Sequence, residues 1–321
     1  MKSLFAFAAG TRAPLWHAAL TLSVLLAGCQ DAPPPPVAPH AEIVPAAPST
    51  GGQGQIVFES SRSNAAPDLY TLDLATGRTQ RLTRDRVSDM DPAWSPDGQR
   101  IAFTTSRGLG RHVYVMSATG EGLTRVSTTT APNSQPSWSP DGTKLLYTTQ
   151  GGGSGDIVLA LADGSGTLAI LAGNPAADFD PAWSPTSYNG VKFAFTSMRD
   201  NGSGDIYTYD DSQTPNVRRL TVGGARQPAW SPDGTKIAYV VWHGRGFDVF
   251  VTNADGTGTP TNLTKSSADN EMPAWSSDGK KIAFVSNRDG KHHLYTMNPD
   301  GSGVARLTRG GDSDSAPSWK P

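Results

Sequence analysis

Cysteine is nearly absent: Cys29 is the single one in 321 residues, so no disulfide framework can hold this chain together. Charge of either sign is scarce as well, with 27 Lys and Arg against 29 Asp and Glu. A basic face for nucleic acid is therefore not expected. No apolar run is long enough to span a bilayer, and no helical period persists beyond residue 30. A Gly-x-Ser-x-Gly elbow is missing too: the GGGSG at Gly151 places its serine one position off. Past residue 40 the histidines are only His112, His243, His292 and His293, without cysteine or carboxylate at ligand spacing, and they read as surface residues.

Glycine (35) and proline (25) are abundant, as a chain of many tight turns requires. Six tryptophans, Trp94, Trp138, Trp183, Trp230, Trp275 and Trp319, follow one another at intervals of 44, 45, 47, 45 and 44 residues. Around them recurs a motif: PAWSPDG at Pro92 and Pro228, PSWSPDG at Pro136, PAWSP at Pro181, PAWSSDG at Pro273 and PSW at Pro317. An apolar stretch ending in an aromatic follows each of the first five, as in IAF at Ile101 or FAF at Phe193, and a sixth, IVF at Ile56, precedes the first tryptophan. Asp-Gly between two such runs is a hairpin signal, expected with positive φ at both residues. Third runs such as DIYTY at Asp205 and fourth runs such as RLT at Arg306 complete the unit. Four strands per repeat of about 45 residues is a propeller blade. The expected fold is all-β, a six-bladed β-propeller of four-stranded blades. Because the first blade lacks its opening strand, closure requires residues 313–319 to pair with the N-terminal strands near 55–60.

Ahead of the repeats, Lys2 and Arg12 precede the apolar stretch Ala18 to Leu26, and Leu26-Ala27-Gly28-Cys29 resembles the bacterial lipobox. Residues 1–28 read as a lipoprotein signal peptide, 29–54 as a lipidated Pro-rich linker beginning at Cys29, and 55–321 as the propeller. Removing the leader leaves 25 basic and 29 acidic residues. Gln30 after the cysteine, by its resemblance to enterobacterial lipoproteins, implies the outer membrane, facing the periplasm.

The repeats resemble the TolB-like propeller family, whose blades carry the same PxWSPDGxxIAFxS pattern. TolB proteins have an α/β domain ahead of the propeller, which 25 linker residues cannot encode, and they are not lipid-anchored. The resemblance implies a cell-envelope binding or scaffold protein, a monomer presenting its propeller to an envelope protein or a peptidoglycan-associated lipoprotein, with no cofactor and no enzymatic activity. The alternative from the residues is a propeller enzyme acting on carbohydrate or peptide. Only Asp91 and Asp180 qualify as its acid and base.

The blades also form an internal alignment. Five residues before the tryptophans stand Asp89, Asn133, Asp178, Ala225, Asn270 and Asp314. Four residues past the strand-two aromatic stand Arg107, Gly151, Arg199, His243, Arg288 and, in the closing blade, Arg62. Aspartate and arginine vary together, so Asp89 with Arg107, Asp178 with Arg199 and Asp314 with Arg62 are expected as structural rim pairs, each contributing up to about 1 kcal/mol if partly exposed. Three residues before the tryptophans, Asp91, Gln135, Asp180, Gln227, Met272 and Ala316 follow no arginine. Together with Arg226 and Glu271 they are expected to surround the channel mouth as a mostly acidic funnel, fitted to an amine, a basic loop or a cation. A solvated entrance without a ligand fits the pattern equally. Calcium would need six to eight converging oxygens, and no metal site is expected.

Overall fold

The computed structural model describes residues 54–321 apart from 64–65, 109, 152–153, 172–174, 188–189 and 201. The leader, Cys29 and the linker up to residue 53 lie outside the described residues.

Twenty-four strands form six antiparallel four-stranded sheets. Blade one holds β4 (Asp89–Trp94), β5 (Arg100–Thr105), β6 (His112–Ser117) and β7 (Thr124–Arg125). Blade two holds β8 (Asn133–Trp138), β9 (Lys144–Thr149), β10 (Asp156–Leu161) and β11 (Thr167–Leu171). Blade three has β12 (Asp178–Trp183), β13 (Lys192–Ser197), β14 (Asp205–Asp210) and β15 (Val217–Arg219). Blade four has β16 (Ala225–Trp230), β17 (Lys236–Trp242), β18 (Phe247–Asn253) and β19 (Thr261–Asn262). Blade five has β20 (Asn270–Trp275), β21 (Ile282–Ser286), β22 (His293–Met297) and β23 (Ala305–Arg306). The closing blade combines β1 (Gln55–Ser60), β2 (Asp68–Asp73) and β3 (Thr79–Arg81) with β24 (Asp314–Trp319). There Ile56 pairs with Trp319 and Ser60 with Asp314, the expected closure of the two chain ends.

Each blade is apolar on both faces of its two middle strands, so it buries them only against its neighbours. The buried residues accordingly gather into six clusters, one at each seam. Val57 and Leu69 of the closing blade meet Trp94, Ile101 and Phe103 of blade one. Ala238, Val240 and Val249 of blade four meet Ile282, Phe284 and Tyr295 of blade five.

The SPDG turns differ from expectation. Gly98, Gly142, Gly234 and Gly279 have φ of 65–70°, but the aspartate before each does not lie at positive φ. Gly98 N donates to Ser95 O, Ser95 N to Arg100 O, and Ser95 Oγ to Asp97 at 2.5 Å. The side chains of serine and aspartate thus shape a four-residue loop in which only glycine need be left-handed.

Candidate binding site at the channel mouth

Strand one of every blade breaks its register in the same place. In blade one Met90 pairs with Thr104 and Ala93 with Ala102, so Asp91 and Pro92 together oppose Phe103. This is a β-bulge, and proline suits it because its missing N–H is not asked for a ladder bond. The residue before the proline takes the left-handed conformation at all six positions: Asp91 (φ 49°), Gln135 (58°), Asp180 (53°), Gln227 (55°), Met272 (52°) and Ala316 (48°). None is glycine, and each left-handed residue costs on the order of 1 kcal/mol that its surroundings must offset.

The compensation is a ring of hydrogen bonds running from blade to blade. The N–H of Gln135 donates to Asp91 Oδ2 at 3.3 Å. Asp180 N–H donates to Gln135 Oε1 at 3.2 Å, Gln227 N–H to Asp180 Oδ2 at 3.3 Å, Met272 N–H to Gln227 Oε1 at 2.9 Å, and Ala316 N–H to Met272 Sδ at 3.3 Å. Gln135 Nε2 also donates to Asp180 Oδ1. Ala316 has no acceptor for the sixth N–H, that of Asp91, and Glu59 of β1 supplies it at 3.1 Å. In blades one to three a strand-two threonine braces the bulge side chain: Thr104 on Asp91 at 2.9 Å, Thr148 on Gln135 at 2.9 Å and Thr196 on Asp180 at 3.1 Å. Valine, Val240 or Val285, stands there in blades four and five, where the ring residues are Gln227 and Met272.

This placement changes the meaning of the expected funnel. Asp91, Gln135, Asp180 and Gln227 do surround the axis, but each spends at least one side-chain oxygen holding the next blade's bulge. Burial is also the first cause that raises their carboxyl groups. Asp180 is pushed up to about 6, with a smaller push from Asp91 and opposition from Thr196, the Gln227 N–H and Arg226. Asp91 is raised by burial against the Thr104 and Gln135 donors and Arg111. Glu59 is pushed up to about 7, by burial and then by the charge of Asp91. The expected acids are thus present at the axis, with Asp91, Asp180 and Glu59 all raised above the ordinary carboxylate range.

Outside the ring lies a hollow of about 270 Å³, bordered by Arg111, Ser134, Gln150, Ser154 and Phe179, with Gln135 and Thr148 at its ring side. Arg226 stands on β16 within electrostatic reach of Asp180, donating to Ser203 O at 3.3 Å. Glu271 is half-buried on β20, raised by burial and by Asp269 and lowered by His292. Arg111 was not singled out from the sequence, because it sits in a loop outside the tryptophan motif. The tryptophan ends of the same strands enclose a second hollow of about 220 Å³, lined by Trp183, Trp230, Trp275 and Trp319 with Pro185 and Pro232.

The aspartates and arginines of the rim come together blade by blade. Arg62 lies 2.7 Å from Asp314 and stacks over Phe58 and Tyr70, and Arg199 lies 2.9 Å from Asp178 over Phe195 and Tyr207. Arg107 reaches Asp89 only at 3.4 Å, because it turns chiefly to Asp85, an acid the internal alignment does not mark. In blade five Arg288 donates to Asn270 Oδ1 at 2.9 Å, while Asp269 takes Asn287. The carboxylates are not partly exposed as expected: Asp89, Asp178 and Asp314 are at most 1 % accessible. Burial raises Asp89 and Asp178, against local hydroxyls and their arginines.

A second layer of pairs was not read from the sequence. Arg81 meets Asp68 at 2.6 Å, Arg219 meets Asp205 at 2.5 Å, and Asn262 donates to Asp248 at 2.9 Å. His112 occupies the same strand-three position and meets Arg125 at 3.1 Å, and His293 lies 3.7 Å from Asp314. Both histidines are buried, 3 % and 2 % accessible, which corrects their reading as surface residues. Asp68, Asp85 and Asp89 bring carboxylate oxygens within 4.8 Å of one another. Arg81 and Arg107 already supply the countercharge there.

The model of the TolB beta propeller domain matches residues 37–171 and 223–321, well over half of the chain. The chain belongs to the TolB β-propeller family. A Tol-Pal system protein TolB from Francisella tularensis subsp. mediasiatica is 29 % identical over 205 residues, 63 % of this chain and 46 % of that protein. The chain spans about half the length of the curated relatives it matches. Among solved structures, TolB from Acinetobacter baumannii superposes with a TM-score of 0.73 at 24 % identity, covering 84 % of this chain and 68 % of that one. Hydrazine synthase from Kuenenia stuttgartiensis shares the fold at 16 % identity and a TM-score of 0.66, over 84 % of this chain and 47 % of that one. Within the TolB-like propeller the fold alone therefore does not assign an activity.

Proposed function

We propose that this TolB-like propeller is a lipid-anchored binding module of the cell envelope. It presents its channel mouth to an envelope protein or peptidoglycan-associated lipoprotein, held through Cys29 in the outer membrane and facing the periplasm. The observation that carries the reading is the open, polar hollow of about 270 Å³ beside the hydrogen-bonded ring, in a chain whose curated relatives are Tol-Pal system proteins. Arg111 borders that hollow and Arg226 stands beside Asp180 of the ring, whereas the ring residues hold the bulges, so partner contact falls to the outer residues.

The test follows from that division. Substituting Asp91 or Asp180 would disturb the bulges as well as the mouth, so Arg111→Glu with Arg226→Glu is the cleaner variant. Partners co-purified from envelopes are expected to be lost or reduced at least tenfold in this double variant at unchanged melting temperature. Identical partner profiles would remove the mouth as the site. For the anchor, Cys29→Ala is expected to move the protein from the washed membrane fraction to the soluble one, and retention in membranes would sink lipidation at Cys29.

A further inference from the structure

Of the six bulge N–H groups around the axis, five are met by the bulge side chain of the preceding blade, and the sixth falls at the seam where the chain's ends join. Glu59 Oε2 accepts the Asp91 N–H at 3.1 Å, and Glu59 Oε1 accepts Ser315 Oγ–H at 2.7 Å. One carboxyl group thereby joins β1, β24 and β4, three strands from opposite ends of the domain. At the equivalent strand-two position the other blades carry Thr104, Thr148, Thr196, Val240 and Val285. A carboxylate occurs only in the blade whose bulge residue, Ala316, cannot accept. We propose that Glu59 is a proton-responsive latch on propeller closure: it replaces the acceptor that Ala316 lacks, and its ionisation loosens the seam between the closing blade and blade one.

The surroundings give the direction. From β4 the group facing Glu59 is the Asp91 carboxyl, a like charge partly offset by Arg111. From β24 it is the uncharged Ser315, while Asp314 is turned to Arg62. From β2 the partner is Leu69, with the Tyr70 hydroxyl engaged by Ser63. Glu271 of blade five has Asp269 and His292 as its charged neighbours. No lysine or arginine pairs with Glu59 among the described residues, so ionisation leaves a half-buried charge beside the like charge of Asp91, with one hydroxyl and one N–H as its protein donors. The folded-state value of about 7 lies above the ordinary 4.5, so protonation favours the closed form. The stabilisation is complete below about pH 4.5 and is lost as pH rises through about 7. This inference does not depend on what the mouth binds.

The experiment compares melting temperature, and hydrogen exchange of residues 55–60 and 313–321 corrected for chemical exchange rates, at pH 5 and pH 8 on the full chain. Wild type is expected to melt about 5 °C lower at pH 8 and to lose protection at least tenfold in those two strands. Glu59→Gln, which keeps an acceptor but cannot ionise, is expected to lose at least half of the melting shift and the exchange difference. The rest belongs to Asp180 and the other raised acids. A Glu59→Gln protein with the wild-type pH profile overturns the proposal. Should that variant fail to fold, Glu59→Val with Ala316→Gln transplants the arrangement of Val240 and Gln227 from blade four. The double variant is expected to fold and to lose at least half of the pH dependence of seam exchange, and Glu59→Val alone to melt lower than wild type. Wild-type pH dependence in the double variant, or full stability of Glu59→Val alone, equally overturns it.

Discussion

At the scale of single residues, equivalent positions are not energetically equivalent. Trp138, Trp230 and Trp319 each donate the indole N–H to the alanine carbonyl of the preceding blade's first strand, Ala93, Ala182 and Ala274, at 3.0 Å. The indole nitrogens of Trp94, Trp183 and Trp275 are buried without a hydrogen-bond partner among the described residues. Trp138 and Trp183 are similarly buried, at 8 % and 7 % accessible. Phenylalanine at each removes similar apolar area, but only at 138 does it also remove a hydrogen bond, a net contribution of about 1 kcal/mol. Urea denaturation is therefore expected to show Trp138→Phe less stable than Trp183→Phe by about that amount, and the reverse order would refute the pairing. The rim aspartates and arginines could be matched from the sequence because they hold equivalent positions in the repeat, whether 18 or 21 residues apart, as for Arg107 with Asp89 and Arg199 with Asp178, or 252 apart across the closure, as for Arg62 with Asp314. Glu59 could not: the other blades carry Thr104, Thr148, Thr196, Val240 and Val285 at its position, so the repeat marks no acid there, and its hydroxyl partner Ser315 meets it only across the closure.

At the scale of elements, turn glycines separate by what stands over them. Gly77 turns β2 into β3 at φ 69° with open space around an added Cβ, whereas Gly164 turns β10 into β11 at φ 77° with Arg125 O of the neighbouring blade 2.4 Å from that position. Alanine at either site meets the left-handed penalty of about 1–2 kcal/mol. At Gly164 backbone must also shift, so Gly164→Ala is expected to cost at least about 1 kcal/mol more than Gly77→Ala in chemical denaturation. Equal losses would show that the blade contact at β11 is loose. The strands themselves were legible from alternation and the Asp-Gly signals. The bulge was not, because a register shift is a property of two paired strands, and Pro92 and its counterparts only hint at it.

At the scale of the molecule, closure is what makes six similar blades one cooperative unit. β24 contributes Trp319 to the cluster with Ile56, Phe58, Ala283 and Val285, and Ser318 Oγ accepts the backbone N–H of Trp94 in blade one at 3.1 Å. Deleting residues 313–321 opens two seams at once, with an expected loss of at least about 5 kcal/mol, or roughly 10–20 °C in melting temperature for a domain of this size. A truncated protein melting within a few degrees of the full chain would show that the remaining blades hold each other without the seam. The sequence alone determined the blade count, the strand order and the need to close the ring, because periodic burial is written into local patterns of apolar residues, turns and tryptophans. Only the tertiary structure decided which polar groups serve the axis and which face the mouth. Six left-handed bulges each present an N–H toward the neighbouring blade, and the side chain that answers it is fixed by packing across the seam. At the last seam the answer is Glu59, a residue that no repeat pattern marks.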